Sequence, residues 1–257
     1  MKPALAFRQP YYPKDWQELP NGDRILAEVN QILAPWWPKF FGYHLLKIGA
    51  LSHNIATNQS TIRHQITVTD HIESANIVAD VDDLPLLQHS VDVAILSHVL
   101  EYAVDPHHVV REANRVLIPN GYLVITGFNP FSLVGLNKII PYRRQRTPWN
   151  ERFFSAMRVK DWLHLMGYEI LHDERCLHSS LEGKFSYGVI ARNWRKIAAK
   201  LVPSLGSIYV IIAKKRVLPL TPIKPKWKLR AELTPINVST LNSSRIRMQK
   251  ERNGETN

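Results

Sequence analysis

The sequence has little of what membrane proteins, disulfide scaffolds and structural metal sites require. Cys176 is the only cysteine among 257 residues, which excludes an internal disulfide bond and a cysteine-based zinc site. The apolar run "LVPSLGSIYVIIA" is shorter than the roughly 20 residues that cross a bilayer as a helix. The opening "MKPALAFRQPYYPKDWQ" lacks an apolar core of signal-peptide length. We expect a cytoplasmic protein that spans no membrane and holds no metal.

Glycine is scarce where a nucleotide-binding turn would need it. The stretch "HLLKIGALSHN", 44–54, predicts a strand that ends at Gly49. A dinucleotide-type turn carries further glycines at short spacing, but Ala50, Leu51, Ser52 and His53 stand there instead. The stretch by itself therefore predicts a strand and a turn, not a cofactor.

Positive charge is abundant and unevenly placed. The formal net charge is +11, and Lys and Arg are concentrated after Lys138. Such a field attracts nucleic acid, anionic lipid or acidic ligands, and the stretch "YRRQRTPWNERFF" also interleaves arginines with aromatic residues. These features favour a small-molecule substrate that is anionic. No nucleic-acid-binding motif is present, so nucleic acid is the least favoured partner.

Apolar periodicity alternates between strand and helix along the middle of the chain. Helical spacing in "GDRILAEVNQILAPWW" predicts a helix that starts near Asp23 and ends before Pro35. The run from Val91 to Leu96 reads as a buried parallel strand, and a helix capped by Asp105 follows it. The next strand lies in "GYLVITGF". This strand–helix–strand unit predicts an α/β protein with a parallel sheet.

Three divisions of the chain follow from composition. We expect an N-terminal lead-in with a covering helix over 1–43 and a main domain over 44–216 that includes an insert at about 129–160. A basic amphipathic helix is predicted in "GVIARNWRKIAAKLVPSLG", 188–206. The polar, basic, proline-containing stretch 217–257 reads as a disordered tail.

One long segment resembles a known family. "ADVDDLPLLQHSVDVAILSHVLEYAVDPHHVVREANRVLIPNGYLVITGF", 79–128, is similar to the central half of class I S-adenosylmethionine-dependent methyltransferases of the small-molecule type. Weaker similarity extends over 45–216, and the whole chain also resembles an uncharacterised bacterial methyltransferase-like group. The resemblance implies a doubly wound, mostly parallel Rossmann-like sheet and S-adenosylmethionine as cofactor, bound across the carboxyl ends of the strands.

The resemblance also implies a set of cofactor-binding residues: Gly49, Asp70, Asp80, Val81, Ser97 and His98. Gly49 would be the first glycine of the cofactor loop, and Asp80 with the Val81 backbone would meet the adenine edge. Asp70 is the weaker candidate for the ribose, because an aspartate in a turn is common. The catalytic residue is open between His98 and Tyr102, which stands where the family has a histidine. Tyrosine, with an ordinary pKa near 10, is a poor base at neutral pH.

The first half departs from the family pattern. Lys47 stands where the family has an acidic residue, and a lysine reverses the charge near a sulfonium. Only twelve residues separate Gly49 from Ile62 and seven separate Val68 from Asn76, whereas a helical crossover between parallel strands needs roughly a dozen or more. We expect the first half to lack at least one helix. The stretch "ITVTDHIESANIVAD", 66–80, could instead fold as a hairpin.

One other motif has an ordinary structural interpretation. "NPFS", 129–132, resembles the asparagine box of N-methyltransferases but follows the wrong strand, so we expect a turn with a helix cap at Asn129. The leading functional hypothesis is methyl transfer from S-adenosylmethionine to an unidentified small molecule. The alternatives are a binding protein on the same scaffold that has lost the cofactor and, last, a protein directed at nucleic acid.

Overall fold

A seven-stranded sheet forms the centre of the computed structural model, which describes residues 11–138, 146–178 and 203–217. The strands are β1 (His44–Ile48), β2 (His64–Thr69), β3 (Ile77–Val78), β4 (Val91–Ser97), β5 (Leu117–Phe128), β6 (Tyr168–Cys176) and β7 (Ile208–Lys215). The α-helices are α1 (Gly22–Leu33), α2 (Ala50–His53), α3 (Pro106–Val116), α4 (Leu133–Asn137) and α5 (Ala156–Leu165). Short 3-10 turns lie at Trp16–Glu18, Trp37–Lys39, Ile72–Ser74 and Pro203–Leu205.

The strand order is β3-β2-β1-β4-β5-β7-β6. Strands β1 to β5 pair in parallel, and β7 pairs antiparallel with both β5 and β6. In the register, Leu46 of β1 lies between Ile66 of β2 and Ala94 of β4. The order reverses direction between β1 and β4, and ligands bind at such a switch point in open α/β sheets. The predicted doubly wound, mostly parallel α/β fold is confirmed.

Both faces of the sheet are covered by apolar side chains. On one face, Ile25, Val29 and Leu33 of α1 join a buried cluster with residues of β1, β4 and β7. On the other face, α3 and α5 contribute a second cluster. Helices on both faces explain why Val91 to Leu96 is a continuous buried run rather than an alternating one.

The strand–helix–strand unit predicted from the sequence is present. The Asp105 carboxylate accepts hydrogen bonds from the backbone N–H groups of His107 and His108, which begins α3 with Pro106 in its first turn. The helix then buries Val109, Val110, Ala113 and Val116 against the sheet. The helix predicted after Asp23 is also observed, as α1.

The first half of the sheet has short crossovers. Helix α2 has only four residues, and a 3-10 turn links β2 to β3. Nevertheless β2 and β3 are parallel, with Val68 opposite Ile77, so the hairpin alternative is wrong. The Asn76 side chain accepts the Thr67 N–H while the Asn76 N–H donates to the Thr67 carbonyl. These bonds let a short connection bring two parallel strands together at the sheet edge.

Several predicted elements fall outside the described residues. They include 139–145 of the insert, most of the basic helix expected over 188–206 and the tail beyond Val217. The division into lead-in, main domain and tail therefore stays a prediction. Among the helices of residues 11–138, 146–178 and 203–217, none has the length and apolar character of a membrane span.

Candidate functional site

Three acidic side chains lie just past the carboxyl ends of β2 and β3. Asp70 follows β2, accepts a 3.2 Å hydrogen bond from the Thr69 hydroxyl and lies 3.5 Å from His71 Nε2. Asp80 follows β3, is exposed, and accepts the Asp82 N–H. Burial, reinforced by the negative charge of Asp80, raises the pKa of Asp82 to about 6. The edge predicted to meet a nucleoside is therefore strongly acidic.

The side chain of Tyr12 lies among these carboxylates. Tyr12 is only 5% exposed and packs in the same core cluster as Val81 and Val99. Burial, followed by the charges of Asp82, Asp80 and Asp70, raises its pKa well above the ordinary value. The charges of all three carboxylates therefore act on one phenol hydroxyl, which none of them hydrogen-bonds.

Tyr12 belongs to a segment that we call the N-terminal strap, Tyr11–Leu19. The strap buries Tyr12, Trp16 and Leu19 and leaves Tyr11 half exposed. His71 Nε2 lies 3.1 Å from the Tyr12 carbonyl oxygen, and the Trp16 indole donates to the Leu51 carbonyl at 2.9 Å. The strap therefore crosses the carboxyl ends of the strands and contacts the loops after β1 and β2.

Gly49 has the backbone conformation expected of a loop glycine. Its φ is +83°, a conformation that residues with a side chain rarely adopt, and its N–H donates to the Val68 carbonyl. A Cβ added there would lie 2.8 Å from Val99 Cγ2, so the group that approaches this glycine closely is the Val99 side chain. Leu51, which stands where a dinucleotide-type turn would have a glycine, packs in the buried cluster on the α1 face of the sheet together with Trp16.

Lys47 is directed toward the backbone of the loop after α2. The residue is 8% exposed, and its Nζ donates to the carbonyl oxygens of His53 and Ile55 at 3.2 and 3.0 Å. Burial lowers its pKa. The lysine pairs with carbonyl dipoles that its own loop supplies. These carbonyl dipoles partly offset the repulsion expected between the Lys47 charge and a sulfonium.

Ser97 and His98 end β4 in different environments. Ser97 is held in the sheet by hydrogen bonds: its N–H donates to Ser52 Oγ, and its hydroxyl lies 2.9 Å from that of Thr126. His98 has a φ of +51° and is 1% exposed. Its ring lies between Trp16, whose ring is edge-on at 5.6 Å between centroids, and Phe128 at 4.3 Å. Of the two, His98 is placed to meet a ligand if the strap moves.

A buried carboxylate that sequence reasoning did not select lies beside His98. Glu101 Oε1 is 3.4 Å from His98 Nδ1 and accepts the Phe128 N–H at 2.7 Å. Glu101 Oε2 and both ring nitrogens of His98 are buried with no hydrogen-bond partner. Buried polar atoms are normally paired, so these atoms are candidates to bind a ligand group.

Two tyrosines feel the charge of Glu101, and neither acts as a base. Burial, then the charge of Glu101, raises the pKa of Tyr102 and of Tyr209 well above the ordinary value. Both hydroxyls are buried without a partner. Tyr102 is therefore a neutral hydrogen-bond donor, which leaves His98 as the stronger of the two catalytic candidates.

The sequence signal for the strap is weak. Tyr12, Trp16 and Leu19 are large apolar residues in a stretch that has no regular period, so only their apolar character indicates that they are buried. Glu101 lies in the segment 79–128 that resembles the methyltransferase family, but only the fold brings it next to Phe128 and His98.

The remaining candidates have structural partners. The Asn129 amide donates to the Ser204 and Gly206 carbonyls and accepts the Phe131 N–H, as a turn residue does. Arg152 donates to the Ala103 and Val104 carbonyls, so this arginine is committed to the loop after β4 rather than to an anion. A pocket of about 470 Å³ lies beside the strap and is lined by Lys14, Asp15, His53, Asn54 and 70–73.

Comparison with known proteins indicates the class of protein. Residues 45–125 match the family model described as "Methyltransferase domain". A demethylmenaquinone methyltransferase of Chlamydia pneumoniae is 30% identical over 105 residues, which are 35% of this chain and 46% of that protein. The crystal structure of a methyltransferase dependent on S-adenosylmethionine (SAM) from Archaeoglobus fulgidus aligns with a TM-score of 0.52 and 20% identity, covering 74% of this chain and 94% of that one.

Sheet order, strand-end site and matches together define a class I SAM-dependent methyltransferase-like protein. Within that class, the uncharacterized protein YafS of Escherichia coli is 40% identical over 225 residues, 86% of this chain and 88% of YafS. The chain belongs to the YafS family of methyltransferase-like proteins. These relationships support methyl transfer as its general activity, and the cofactor-less alternative is not favoured.

The residues present fit the chemistry of the cofactor that this class implies. SAM offers ribose hydroxyls and an adenine amino group as hydrogen-bond donors, and acidic residues at Asp70, Asp80 and Asp82 accept such donors. Asp82 Oδ1 is a buried acceptor without a partner. These hydrogen-bond acceptors therefore fit the cofactor, while Tyr12 occupies the space beside them.

Proposed function

We propose that this protein binds SAM at the carboxyl ends of β1 to β4 and transfers its methyl group to a small molecule. The observation that carries the proposal is that Asp70 follows β2 and Asp80 follows the neighbouring parallel strand β3, with Asp82 two residues further on. Acidic residues at the carboxyl ends of parallel strands suit the hydroxyl groups of a nucleoside. The family match over 45–125 supports the same assignment.

Each residue has a distinct role in this proposal. Asp70 accepts hydrogen bonds from the ribose, and Asp80 with the Val81 backbone meets the adenine edge. Gly49 shapes the turn after β1, and Ser97 holds the end of β4 in place through Ser52 and Thr126. When bound, SAM supplies a methyl group on a positively charged sulfur, which is already activated for transfer.

The proton chemistry falls to His98 and Glu101. The Glu101 carboxylate lies 3.4 Å from Nδ1 without hydrogen-bonding it. In the proposed reaction Nδ1 would donate to Glu101, and Nε2 would accept the proton of the methyl acceptor. Buried Glu101 also disfavours an anionic group at this position. We therefore propose a neutral or cationic acceptor with an N–H or O–H group, rather than the anionic substrate that the basic sequence favoured.

A thermal-shift titration with S-adenosylhomocysteine (SAH), the demethylated product of SAM, tests the proposal. A ligand that prefers the folded state stabilises it by about 2.7 kcal/mol at a hundred times its Kd. We expect a clear rise in melting temperature for the wild type and for Asp83→Ala, whose side chain is exposed in the same loop. Asp80→Ala and Asp70→Ala should weaken binding about tenfold or more, the loss of a charged hydrogen bond.

The same titration separates the alternatives. No shift at millimolar SAH with any variant would favour the binding protein that has lost the cofactor. Equal shifts for Asp80→Ala and Asp83→Ala would remove Asp80 from the site. Shifts caused by oligonucleotides that vanish at high salt would indicate a nucleic-acid partner instead.

A further inference from the structure

The strap fills the part of the site that the proposed function assigns to a nucleoside. The Tyr12 carbonyl oxygen lies 3.1 Å from Nε2 of His71, the residue that follows Asp70. The charges of Asp82, Asp80 and Asp70 act on the buried Tyr12 hydroxyl. Its aromatic ring is flat and apolar with a polar edge, as a purine is. Tyr12 therefore stands where the same carboxylates would hold a nucleoside.

The other end of the strap covers the proposed proton acceptor. The Trp16 ring is edge-on to His98, and both residues are 1% exposed. The Trp16 indole N–H is bonded to the Leu51 carbonyl in the loop after β1. With the strap in this position, His98 is closed to solvent and to any methyl acceptor.

Closure of the strap leaves hydrogen bonds unmade. The Tyr12 hydroxyl is buried without a partner, and so is Asp82 Oδ1. Leaving a buried polar group unpaired is unfavourable, and the negative charges of Asp70, Asp80 and Asp82 act on this one hydroxyl. A ligand that brings hydroxyl and amino donors satisfies these carboxylates where Tyr12 does not. The closed strap is thus held by apolar burial but opposed by its own polar groups.

Polar bonds join the strap to the strand-end region and to α1. They include the bonds from Trp16 to Leu51, from Asn54 to the Asp15 carboxylate at 3.2 Å, and between His71 and the Tyr12 carbonyl. The Gly22 N–H also donates to the Leu19 carbonyl. The strap joins α1 through Asn21, whose φ is +55°, and Gly22, where any Cβ would collide with the Trp16 carbonyl. This tight corner sets the path of the strap over the strand ends.

The geometry points to an autoinhibitory device: the strap is a built-in occupant of the nucleoside site that Tyr12 and Trp16 hold closed and that SAM or SAH must displace to bind. The inference rests on the proposed function, because a competitor matters only if the ligand binds. It assigns Tyr12 to the closed state and not to the ligand-bound one. Opening the strap also uncovers His98, so binding of the cofactor prepares the acceptor side of the site.

Calorimetric titration of the full chain with SAH tests this device through two substitutions of opposite effect. Tyr12→Ala removes the occupant, so the Kd should fall about tenfold, since the apparent Kd scales with the fraction of open protein. Tyr12→Phe removes only the unpaired hydroxyl and so stabilises the closed state, which should raise the Kd several-fold. Tyr11→Ala is the matched control, because Tyr11 is exposed and bonds only Glu18 within the strap.

Hydrogen exchange of the strap amides provides a second readout, and circular dichroism checks that each variant is folded. Exchange over 11–19 should speed up when SAH binds the wild type. Weaker binding by Tyr12→Ala, or slower strap exchange with SAH, would overturn the inference and make the strap a lid that clamps the ligand. Equal Kd values in all variants would overturn the inference alone. If none of the variants binds SAH, the proposed function falls and the inference falls with it.

Discussion

The indole of Trp16 lies edge-on to the imidazole of His98, with 5.6 Å between the ring centroids. This contact joins a segment that precedes the sheet to the residue that ends β4. Both side chains are buried, so on the proposed autoinhibition this contact holds the strand-end site closed. The stability of the strap would then set the accessibility of the site.

Replacing Trp16 should reveal how strongly the strap is held. Trp16→Ala removes a large side chain that is 1% exposed, and such truncations cost about 3–5 kcal/mol. Trp36→Ala, a partly exposed tryptophan outside the strap, should cost about 1–2 kcal/mol by the same scaling with burial. Urea unfolding measures both free energies, and equal losses would show that Trp16 is not an anchor.

Gly49 and Val99 should be energetically coupled. Gly49→Ala places a Cβ at a φ of +83° and 2.8 Å from Val99 Cγ2, so we expect a loss of about 2–4 kcal/mol from strain and overpacking. In a Val99→Ala background the contact is relieved and only the backbone strain of about 1 kcal/mol remains. A double-mutant cycle in urea measures the coupling. Additive losses would contradict the contact.

Lys47 should stabilise the short loop after α2. Lys47→Met keeps the apolar stem but leaves the His53 and Ile55 carbonyls without their donor, at a cost of about 2–3 kcal/mol. Lys39→Met, which changes an exposed lysine, should lie within about 0.5 kcal/mol of the wild type. If the two variants unfold at the same urea concentration, the bonds from Lys47 contribute nothing measurable.

Asp82 should make stability depend on pH. Its pKa is raised to about 6 by burial and by Asp80, with a smaller opposing effect of His108. A raised pKa means that the fold prefers the protonated carboxyl, so the contribution is complete below about pH 4 and is lost as pH rises through about 6. Asp82→Asn should therefore be more stable than the wild type at pH 7.5, by about 1–2 kcal/mol after screening, and not at pH 4.

Urea titrations at both pH values check this expectation, with Asp83→Asn as the exposed control. The control should behave alike at the two pH values. A gain for Asp82→Asn that is the same at pH 4 and pH 7.5 would show that the carboxyl is not perturbed by the fold.

Local patterns were enough to predict the elements and their class. Asp105, Pro106 and the apolar spacing after them specify α3, because capping and periodicity act within a few residues. The continuous apolar run from Val91 specifies a central strand. The same local logic failed between β2 and β3, where Asn76 replaces a helical crossover with side-chain hydrogen bonds. A short link between parallel strands has no period to detect.

The sequence by itself determined a doubly wound sheet, its acidic residues after β2 and β3, and a reduced first half, since these depend on neighbours along the chain. Only the tertiary structure decided what stands at the strand ends. It brings Tyr12 to carboxylates about 60 to 70 positions away in the sequence and sets Trp16 against His98 and Leu51. Burial and charge at that distance depend on the path of the strap around α1, which no local pattern encodes.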